Sequence, residues 1–381
     1  MVVPAEDSQR CLPIKGFSVT QPSLTHTCLR AGLRQSWGVM RRILNILLFV
    51  AGTGVALAQT SLVPEAPTLV PGVREIMYQG WKNSLVMEAP DADIKVVVVP
   101  EVGGRIMEFS YEGNNIMWMS PDAPGRTLAT HPKGFSSGGH QSDIGPELRT
   151  PAIPNRQALF IGPYKGSTPR ELTVKVESEE HKATGVQLIR ELVLDPINGE
   201  LGVLQTIKNI SATNVSYCVW DRTLCKGGGF AFFPLPKKSK FPAKWAIRGQ
   251  AEGKYFYDGI NPQHENVKII KNTLVAYCKG PQAKIGSDSD AGWMAYVKGN
   301  LLFVKYFPYS PKGRYSDGGN SVEVYWNENF AEIEPLSPEA VIAPGETYSF
   351  PEKWLLIELD SDVHTHQQAA ELVKQIPVFK F

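Results

Sequence analysis

The sequence lacks the features that mark several functional classes. Its 39 Lys and Arg residues are balanced by 38 Asp and Glu residues, which leaves a formal net charge of +1. A nucleic-acid-binding surface needs clustered basic residues, so this balance argues against such a partner. The chain also contains neither an H-E-x-x-H zinc motif nor a glycine-rich dinucleotide fingerprint. We therefore expect no metal and no cofactor.

The sequence also lacks long apolar runs. A short apolar run near the N-terminus is not long enough to span a bilayer. This run, Ile43 to Val50, follows Arg41 and Arg42 and precedes Ala56-Leu57-Ala58. A basic start, a short apolar core and an A-x-A site are typical of a signal peptide. Residues 40–58 are therefore predicted to export the protein, to the periplasm or outside the cell, with cleavage near Ala58.

Two further predictions concern the segments on either side of this signal peptide. A signal peptide begins where translation begins, so residues 1–39 are predicted to be a mis-annotated extension ahead of Met40. Residues 59–75 are predicted to be a Pro-rich leader. The mature chain is expected to have no stable membrane span, and its oligomeric state is left open.

Cysteine is scarce, and its spacing argues against a zinc site. Five cysteines occur, of which Cys11 and Cys28 lie ahead of the predicted cleavage point. The others are Cys218, Cys225 and Cys278, an odd number with no C-x-x-C pair. One disulfide is compatible with export, although three buried thiols are the favoured interpretation.

What the chain does have is a long series of short strand-like segments. Its 34 glycines and 29 prolines suit a chain full of turns. Glu171–Glu180 alternates cleanly between apolar and polar residues, and Arg105–Met119 has a strand-turn-strand pattern. The one convincing helix is His366–Ile376. Many strands without alternating helices predict an all-β fold of antiparallel sheets. A large sandwich over 76–360 is favoured over two packed β domains, with residues 361–381 as a helical tail.

Three stretches are candidates for chemistry, and the first is the polar stretch Lys133–Gln157. Its length and its glycines predict a loop, and long loops often carry function. His140 could act as an acid or base at neutral pH, with Asp143 to orient it, and Glu147 follows. The alternative is a surface loop with solvated charges.

The second stretch is Asn209–Phe230, where alternation separates neighbouring residues. In a strand, Asp221 faces one side while Trp220 and Arg222 face the other. An aromatic ring beside polar groups is compatible with a sugar site. An Asp221–Arg222 salt bridge at the end of a strand is the alternative, and from the pattern alone it is favoured.

The third stretch is Phe330–Glu334, which places Glu332 and Glu334 on the same face of a predicted strand. Pro335 ends the pairing, so Glu334 is expected at the end of the strand. The two glutamates are either a solvated face or carboxylates held for use. The pattern does not choose between these alternatives.

Three segments together resemble the aldose 1-epimerase (galactose mutarotase) proteins. They are DIKVVVVPEVGGRIMEFSYEGNNIMW, NISATNVSYCVWDRT and EIEPLSPEAVIAPGETYSFPEKWLLIEL, in that order along the chain. The chain is still more similar to an uncharacterised bacterial domain family of the DUF4380 type within the same superfamily. The resemblance implies a galactose mutarotase-like β-supersandwich with a sugar-binding cleft.

The resemblance also implies roles for individual residues. Glu334 matches the general base that takes the proton from the anomeric hydroxyl. Asp221 lies where the family has its catalytic histidine, and His140 is the alternative acid. The expected substrate-binding residues are Arg222, Trp220, Trp326, Asn327, Asp143, Glu147 and Arg105.

The sequence therefore predicts an exported carbohydrate-active protein. It is expected to be an aldose 1-epimerase-like isomerase that uses a glutamate base at a sugar anomeric centre. The alternative is a carbohydrate-binding protein that has lost the catalytic acid and does not catalyse. In both cases the expected partner is a carbohydrate or another hydroxyl-rich small molecule.

Overall fold

The structure is a computed structural model that describes residues 72–379 and 381. The predicted extension (1–39), the predicted signal peptide (40–58) and residues 59–71 of the predicted leader lie outside the described residues. Within the described part of the chain, no helix combines the length and the apolar character needed to cross a membrane.

Short antiparallel strands dominate the described residues, as predicted. The strands are, in chain order, β1 Val73–Tyr78, β2 Trp81–Ala89, β3 Ile94–Val99, β4 Arg105–Tyr111, β5 Asn114–Asn115, β6 His140–Gly145, β7 Tyr164–Ser167, β8 Thr173–Ser178, β9 Val186–Leu194, β10 Leu201–Asn209, β11 Val215–Lys226, β12 Phe230–Pro234, β13 Ala246–Ala251, β14 Lys254–Asp258, β15 Val267–Ile270, β16 Thr273–Tyr277, β17 Ala283–Ser287, β18 Trp293–Tyr306, β19 Val322–Trp326, β20 Phe330–Pro335, β21 Ala340–Ile342 and β22 Thr347–Val363. The α-helices are α1 Gln157–Ile161 and α2 His366–Glu371.

The strands form two sheets that pack face to face. The larger sheet has the order β1-β2-β3-β4-β6-β11-β20-β19-β17-β13-β14, with β5 paired to β4 and β21 paired to β11. The smaller sheet has the order β15-β16-β12-β18-β22-β10-β9-β8-β7. Side chains alternate along each strand, so every second residue of the larger sheet points into the space between the sheets. We call the opposite side of this sheet its outer face.

Aromatic and aliphatic side chains fill the space between the sheets. Phe109 of β4 meets Phe303 of β18 edge to face, with 5.9 Å between ring centroids, and lies 6.1 Å from Trp354 of β22. On β8, Val174 and Val176 both point into this core, as the alternation of their segment predicted. Burial of this kind contributes about 25 cal/mol for each Å² of apolar surface, so it is the main force that holds the two sheets together.

The polar stretch Lys133–Gln157 differs most from its prediction. Residues 140–145 are not a loop but the central strand β6, which is buried between β4 and β11. Helix α1 begins at the end of the stretch. Strand propensity did not reveal β6 because its residues are mostly polar; inside the protein they find charged or hydrogen-bonding partners, as described below.

The ends of the sandwich also differ slightly from the predicted boundaries. Strand β1 begins at Val73, inside the predicted leader (59–75), and β22 continues to Val363, past the predicted domain end at 360. Helix α2 covers the first half of the predicted helix, and its N-terminus is capped by the Thr365 side chain, which accepts a hydrogen bond from the backbone of Gln368. Within residues 72–379 the three cysteines are buried free thiols, which confirms the favoured interpretation.

Candidate active site

The side chains of β20 separate into two sets. Ala331 and Ile333 pack in the core between the sheets. Because side chains alternate along a strand, Glu332 and Glu334 lie on the same face, as predicted from the sequence, and this is the outer face. Glu334 is fully buried there, whereas Glu332 is half-buried.

Glu334 is held by two donors. Its Oε2 accepts a hydrogen bond from Trp220 Nε1 at 2.6 Å and another from Lys284 Nζ at 2.9 Å. No N–H or O–H donor among the described residues reaches Oε1. A hydrogen bond at that oxygen can therefore come from a neighbouring carboxyl group only if that group carries a proton. Glu332 is such a neighbour.

The Glu332 carboxyl ionises less readily than an ordinary glutamate, in part because Glu334 lies beside it. Burial, together with repulsion by Glu334 and a hydrogen bond to it, raises the pKa of Glu332 to about 7. This outweighs the opposing effect of Arg222 and Lys284. Two nearby carboxylates cannot both ionise at their ordinary pKa. Near neutral pH, the Glu332 carboxyl therefore exists in both its protonated and its ionised form.

Lys284 is the central cation of this face. Its Nζ lies 2.9 Å from carboxylate oxygens of Glu147, Glu323 and Glu334 and 4.6 Å from the centre of the Trp220 ring. Burial lowers the pKa of Lys284, but the three carboxylates outweigh burial and hold it well above its usual value. Lys284 is therefore a permanent positive charge.

Glu323 lies directly opposite Glu334 in the β19–β20 pair. Burial, followed by repulsion from Asp317 and Glu334, raises the pKa of Glu323 to about 8, even though Lys284 opposes this shift. The pKa of Glu147 is lowered instead, because Lys284 and Arg248 together outweigh the effect of burial. Acidic groups of raised and lowered pKa thus surround one lysine.

A second group of charges lies at β6 and β11. Asp143 accepts hydrogen bonds from Arg156 Nε at 2.7 Å, Arg156 Nη2 at 3.0 Å and Arg222 Nη2 at 3.0 Å. The Arg222 guanidinium lies over the Trp220 ring, 4.5 Å from its centre. Arg222 is paired in register with Gln141, whose side chain accepts a hydrogen bond from Arg105. The predicted Asp221–Arg222 salt bridge is therefore wrong, because Arg222 pairs with Asp143.

Aromatic side chains border Glu332 on the other side. Tyr325 is its register partner across the β19–β20 pair. Phe330 precedes it by two residues on the same face, and the Phe330 ring centroid lies 4.5 Å from that of Trp118 and 5.9 Å from that of Tyr325. Glu332 is therefore flanked by arginine and lysine charges on one side and by apolar rings on the other.

Two cavities open near these residues. One, of about 150 Å³, is lined in part by Lys284, Arg248, Tyr255 and Tyr325. The other, of about 440 Å³, is lined in part by Arg149, Ser316 and Asp317. The backbone N–H groups of Glu147 and Leu148 bind the Asp317 carboxylate at 2.9 and 2.7 Å. The segment that carries Glu147 therefore lies next to the larger cavity, while its side chain reaches Lys284.

The two predicted acids lie elsewhere. Asp221 and His140 are fully buried and point between the sheets, on the opposite side of the larger sheet from Glu334. Asp221 is ion-paired with Lys305, whose Nζ also lies 3.3 Å from Glu352 Oε2. His140 Nδ1 lies 3.6 Å from Asp221 Oδ1 and 3.1 Å from Thr223 Oγ1. The structure therefore does not bring either residue together with Glu334.

The pKa values of this inner group differ from what an acid catalyst requires. Burial raises the pKa of Asp221, but Lys305 and His140 outweigh burial and lower it below its ordinary value. Burial lowers the pKa of His140 to about 4, although Asp221 opposes the shift. At neutral pH Asp221 is ionised and His140 is uncharged, so neither holds a proton for donation as an acid of suitable strength.

The remaining predicted residues fall into two sets. Glu334, Trp220, Arg222, Asp143, Glu147 and Arg105 come together on or beside the outer face. Trp326 instead packs in the core, and Asn327 accepts hydrogen bonds from the backbone of Asn329 and Phe330 in the turn before β20. Trp326 and Asn327 therefore have structural roles in the conformation observed.

Sequence analysis missed several members of the site. They are Lys284, Glu323, Arg156 and Arg248, and Glu332 was recognised only as a neighbour of Glu334. A single lysine within the otherwise buried strand β17 was the signal available for Lys284, because a buried lysine requires carboxylate partners. Nothing in the sequence links these residues, since their partners lie 50 and 137 positions away. Within residues 72–379 and 381, no group of three or more His, Cys, Asp and Glu side chains is arranged to hold a metal ion.

Comparisons with known proteins support the fold. No protein-family model matches the chain, and no curated protein matches it. A structure from Escherichia coli K12, assigned as an aldose 1-epimerase, aligns with a TM-score of 0.51 and 10% identity over 70% of this chain and 97% of that one. A galactose mutarotase-like protein from Lactobacillus casei aligns with a TM-score of 0.49 and 12% identity over 72% of this chain and 100% of that one.

The likeness to the Escherichia coli structure confirms the predicted fold. The protein is an all-β, galactose mutarotase-like β-supersandwich. At 10% identity the likeness concerns the fold alone. Membership of the DUF4380-type family stays a prediction, since no family model supports it.

Proposed function

We propose that this protein is an aldose 1-epimerase-like isomerase that interconverts the anomers of a free sugar. The fold supports a sugar-related role, and the observation that carries the proposal is the Glu332–Glu334 pair. A half-buried carboxyl group with a pKa raised to about 7 suits acid–base work at neutral pH. The protein is further proposed to act outside the cytoplasm, on the basis of the signal-like segment 40–58.

The reaction needs one proton removed and one added at neighbouring oxygens. A base takes the proton from O1, an acid gives a proton to the ring oxygen, and the bond between C1 and the ring oxygen breaks. Rotation about the C1–C2 bond and the reverse proton transfers then close the ring on the other face. Both oxygens are bonded to C1, so a single protonated carboxyl group can donate to the ring oxygen and accept from O1.

In this proposal Glu332 is the residue that touches the sugar, and Glu334 sets its protonation state. The general-base role predicted for Glu334 passes to the pair because Glu334 is fully buried. Glu334 is held in place by Trp220 and Lys284, and its repulsion favours the protonated form of Glu332. Tyr325 and Phe330 would pack against an apolar face of the sugar ring.

The test begins with a screen of free sugars for binding by thermal shift, followed by NMR measurement of anomer interconversion for each sugar that binds. The variant Glu332→Gln should keep binding and lose turnover. Glu328→Gln is the matched control, because Glu328 is exposed in the turn immediately before β20. A sugar that binds the wild-type protein without faster anomer exchange would contradict catalysis.

A second function is favoured by one observation. Glu334 is completely buried and hydrogen-bonded to Lys284 and Trp220, which is also what a structural carboxylate requires. In that case the protein binds carbohydrate without acting on it. Binding without turnover in both the wild type and Glu332→Gln would favour this alternative.

A further inference from the structure

Three arginines and a single carboxylate lie close together at one end of the outer face. Arg156 binds both oxygens of Asp143, and Arg222 binds one of them at 3.0 Å. Arg105 adjoins this pair through Gln141, the register partner of Arg222. The Asp143 carboxylate neutralises one of the three positive charges. Among these four charged side chains alone, positive charge exceeds negative charge by two; Glu332, Glu334 and Glu147 also act on Arg222 from outside them.

Arg105 has no carboxylate partner of its own among the described residues. Its Nε donates to the carbonyl of Phe160 at 3.0 Å and its Nη1 to the carbonyl of Gly138 at 2.7 Å. The side-chain oxygen of Gln141 accepts a hydrogen bond from Arg105 Nη2. These neutral acceptors fix the guanidinium in place, and none of them carries a charge that would neutralise it. Burial and the positive charges of Arg222 and Arg190 lower the pKa of Arg105 to about 9.

Arg222 retains an unused donor at the site. Its Nε is buried and has no hydrogen-bond partner in the described part of the chain. The guanidinium is held between the Trp220 ring, at 4.5 Å, and the Phe160 ring, at 5.7 Å. Its side chain and that of Arg156 each retain 18% exposure. An incoming ligand can therefore reach two arginines whose orientation is already fixed.

We propose that the sugar carries an oxyanion substituent, either a carboxylate or a phosphate, and that Arg222 and Arg156 bind it. Planar guanidinium groups match the geometry of both oxyanions. Glu332 lies next to this arginine group, where the Arg222 charge acts on its carboxyl. The oxyanion would be held at the arginine end while the anomeric carbon meets Glu332. This inference rests on the proposal that the outer face binds a sugar.

The experiment compares three forms of one sugar: glucose, glucuronate and glucose 6-phosphate, with the galactose series in parallel. Binding is measured by calorimetry at low and at physiological ionic strength. The anionic forms should bind about tenfold or more tightly than the neutral sugar, because hydrogen bonds to charged groups are the strong ones. This preference should shrink as salt rises. The stronger of the two anions identifies the oxyanion.

Variants test whether the arginines are responsible. Arg222→Gln and Arg156→Gln should each reduce the affinity for the anionic sugars about tenfold more than they reduce the affinity for the neutral sugar. Arg170→Gln is the matched control, because Arg170 is an exposed arginine of an ion pair with Glu191. The melting temperature of each variant checks that it folds, and Arg156→Gln remains a test if Arg222→Gln does not.

The outcomes separate this inference from the proposed function. Equal affinity for all three sugar forms, or binding by none of the anionic forms, would overturn the oxyanion inference. A preference that survives both arginine substitutions would overturn it as well. Tight binding of an anionic sugar without anomer exchange would support the inference and contradict the isomerase. Anomer exchange of a neutral sugar, with no preference for the anionic forms, would support the isomerase and contradict the oxyanion inference.

Discussion

Two groups of charges lie on opposite faces of the same sheet, and they differ in what they can reach. The inner group consists of Asp221, His140, Lys305 and Glu352, together with Gln205. The outer group consists of Glu332, Glu334, Glu323, Lys284, Glu147, Arg248 and Arg222. Asp221 and Arg222 are neighbours in sequence, yet they belong to different groups. A shift of one residue along β11 separates the interior from the outer face.

The inner group is closed. Lys305 lies between Asp221 and Glu352, all three are almost completely buried, and Gln205 Nε2 donates to both carboxylates at 3.0 and 2.7 Å. The outer group is half open, since Glu332, Glu147 and Arg248 are only half-buried. The difference teaches that charge and burial alone do not identify a catalytic group. A reactive carboxyl must also face a space that a substrate can enter.

The largest expected effect is on stability, from the inner group. Lys305→Met removes the cation between Asp221 and Glu352 and leaves their charge buried. Breaking a buried ion pair from one side costs about 3–5 kcal/mol of unfolding free energy, which urea denaturation measures. Lys353→Met on the neighbouring strand β22 is the control, because its partner Glu200 is partly exposed. A loss for Lys305→Met as small as that of the control would show that the inner group is not structural.

The second prediction concerns catalysis and compares one substitution in each of the two groups. Glu332→Gln should reduce kcat for anomer exchange by about 100-fold or more, the usual contribution of an acid–base group, while the urea midpoint changes little. Glu352→Gln should change the urea midpoint while leaving kcat of the folded fraction intact. Equal kinetic effects of the two substitutions would abolish the distinction between the groups.

The third prediction is that Glu332 and Glu323 of the outer group and His140 of the inner group affect the stability of the protein at opposite ends of the pH range. Glu332 and Glu323 have raised pKa values, about 7 and about 8. Their contribution to stability is complete below their unfolded pKa and is lost as pH rises through these values. His140, with its pKa lowered to about 4, contributes above its unfolded pKa and loses that contribution as pH falls through 4.

Activity should follow the outer group. Catalysis by a protonated Glu332 falls as pH rises through about 7, and NMR exchange rates at a series of pH values measure this. Thermal unfolding over the same series measures stability. In Glu332→Gln, the alkaline loss of stability should become smaller while the acid loss, to which His140 contributes, stays. A rate that rises through pH 7 would contradict Glu332 as the acid.

The sequence predicts one part of the outer group well and another part poorly, for physical reasons. Alternation in β20 places Glu332 and Glu334 on one face, and alternation in β11 separates Asp221 from Arg222. Alternation alone does not say which face is the interior. The resemblance to mutarotases therefore placed Asp221 opposite Glu334, although its face points between the sheets. Strand β6 was missed because its stability comes from long-range pairing of polar side chains, which leaves no apolar pattern.

The smallest expected effect comes from the edge of the outer group. Arg248→Gln removes one of two cations from Glu147, but Lys284 stays 2.9 Å from the same carboxylate. The backbone next to Glu147 is fixed independently by Asp317. The loss of unfolding free energy should therefore be about 1 kcal/mol or less, the net contribution of one hydrogen bond, as measured by urea denaturation beside Lys305→Met. A loss close to that of Lys305→Met would mean that the outer group holds the fold together as the inner group does. The two faces of the sheet would then no longer differ in role.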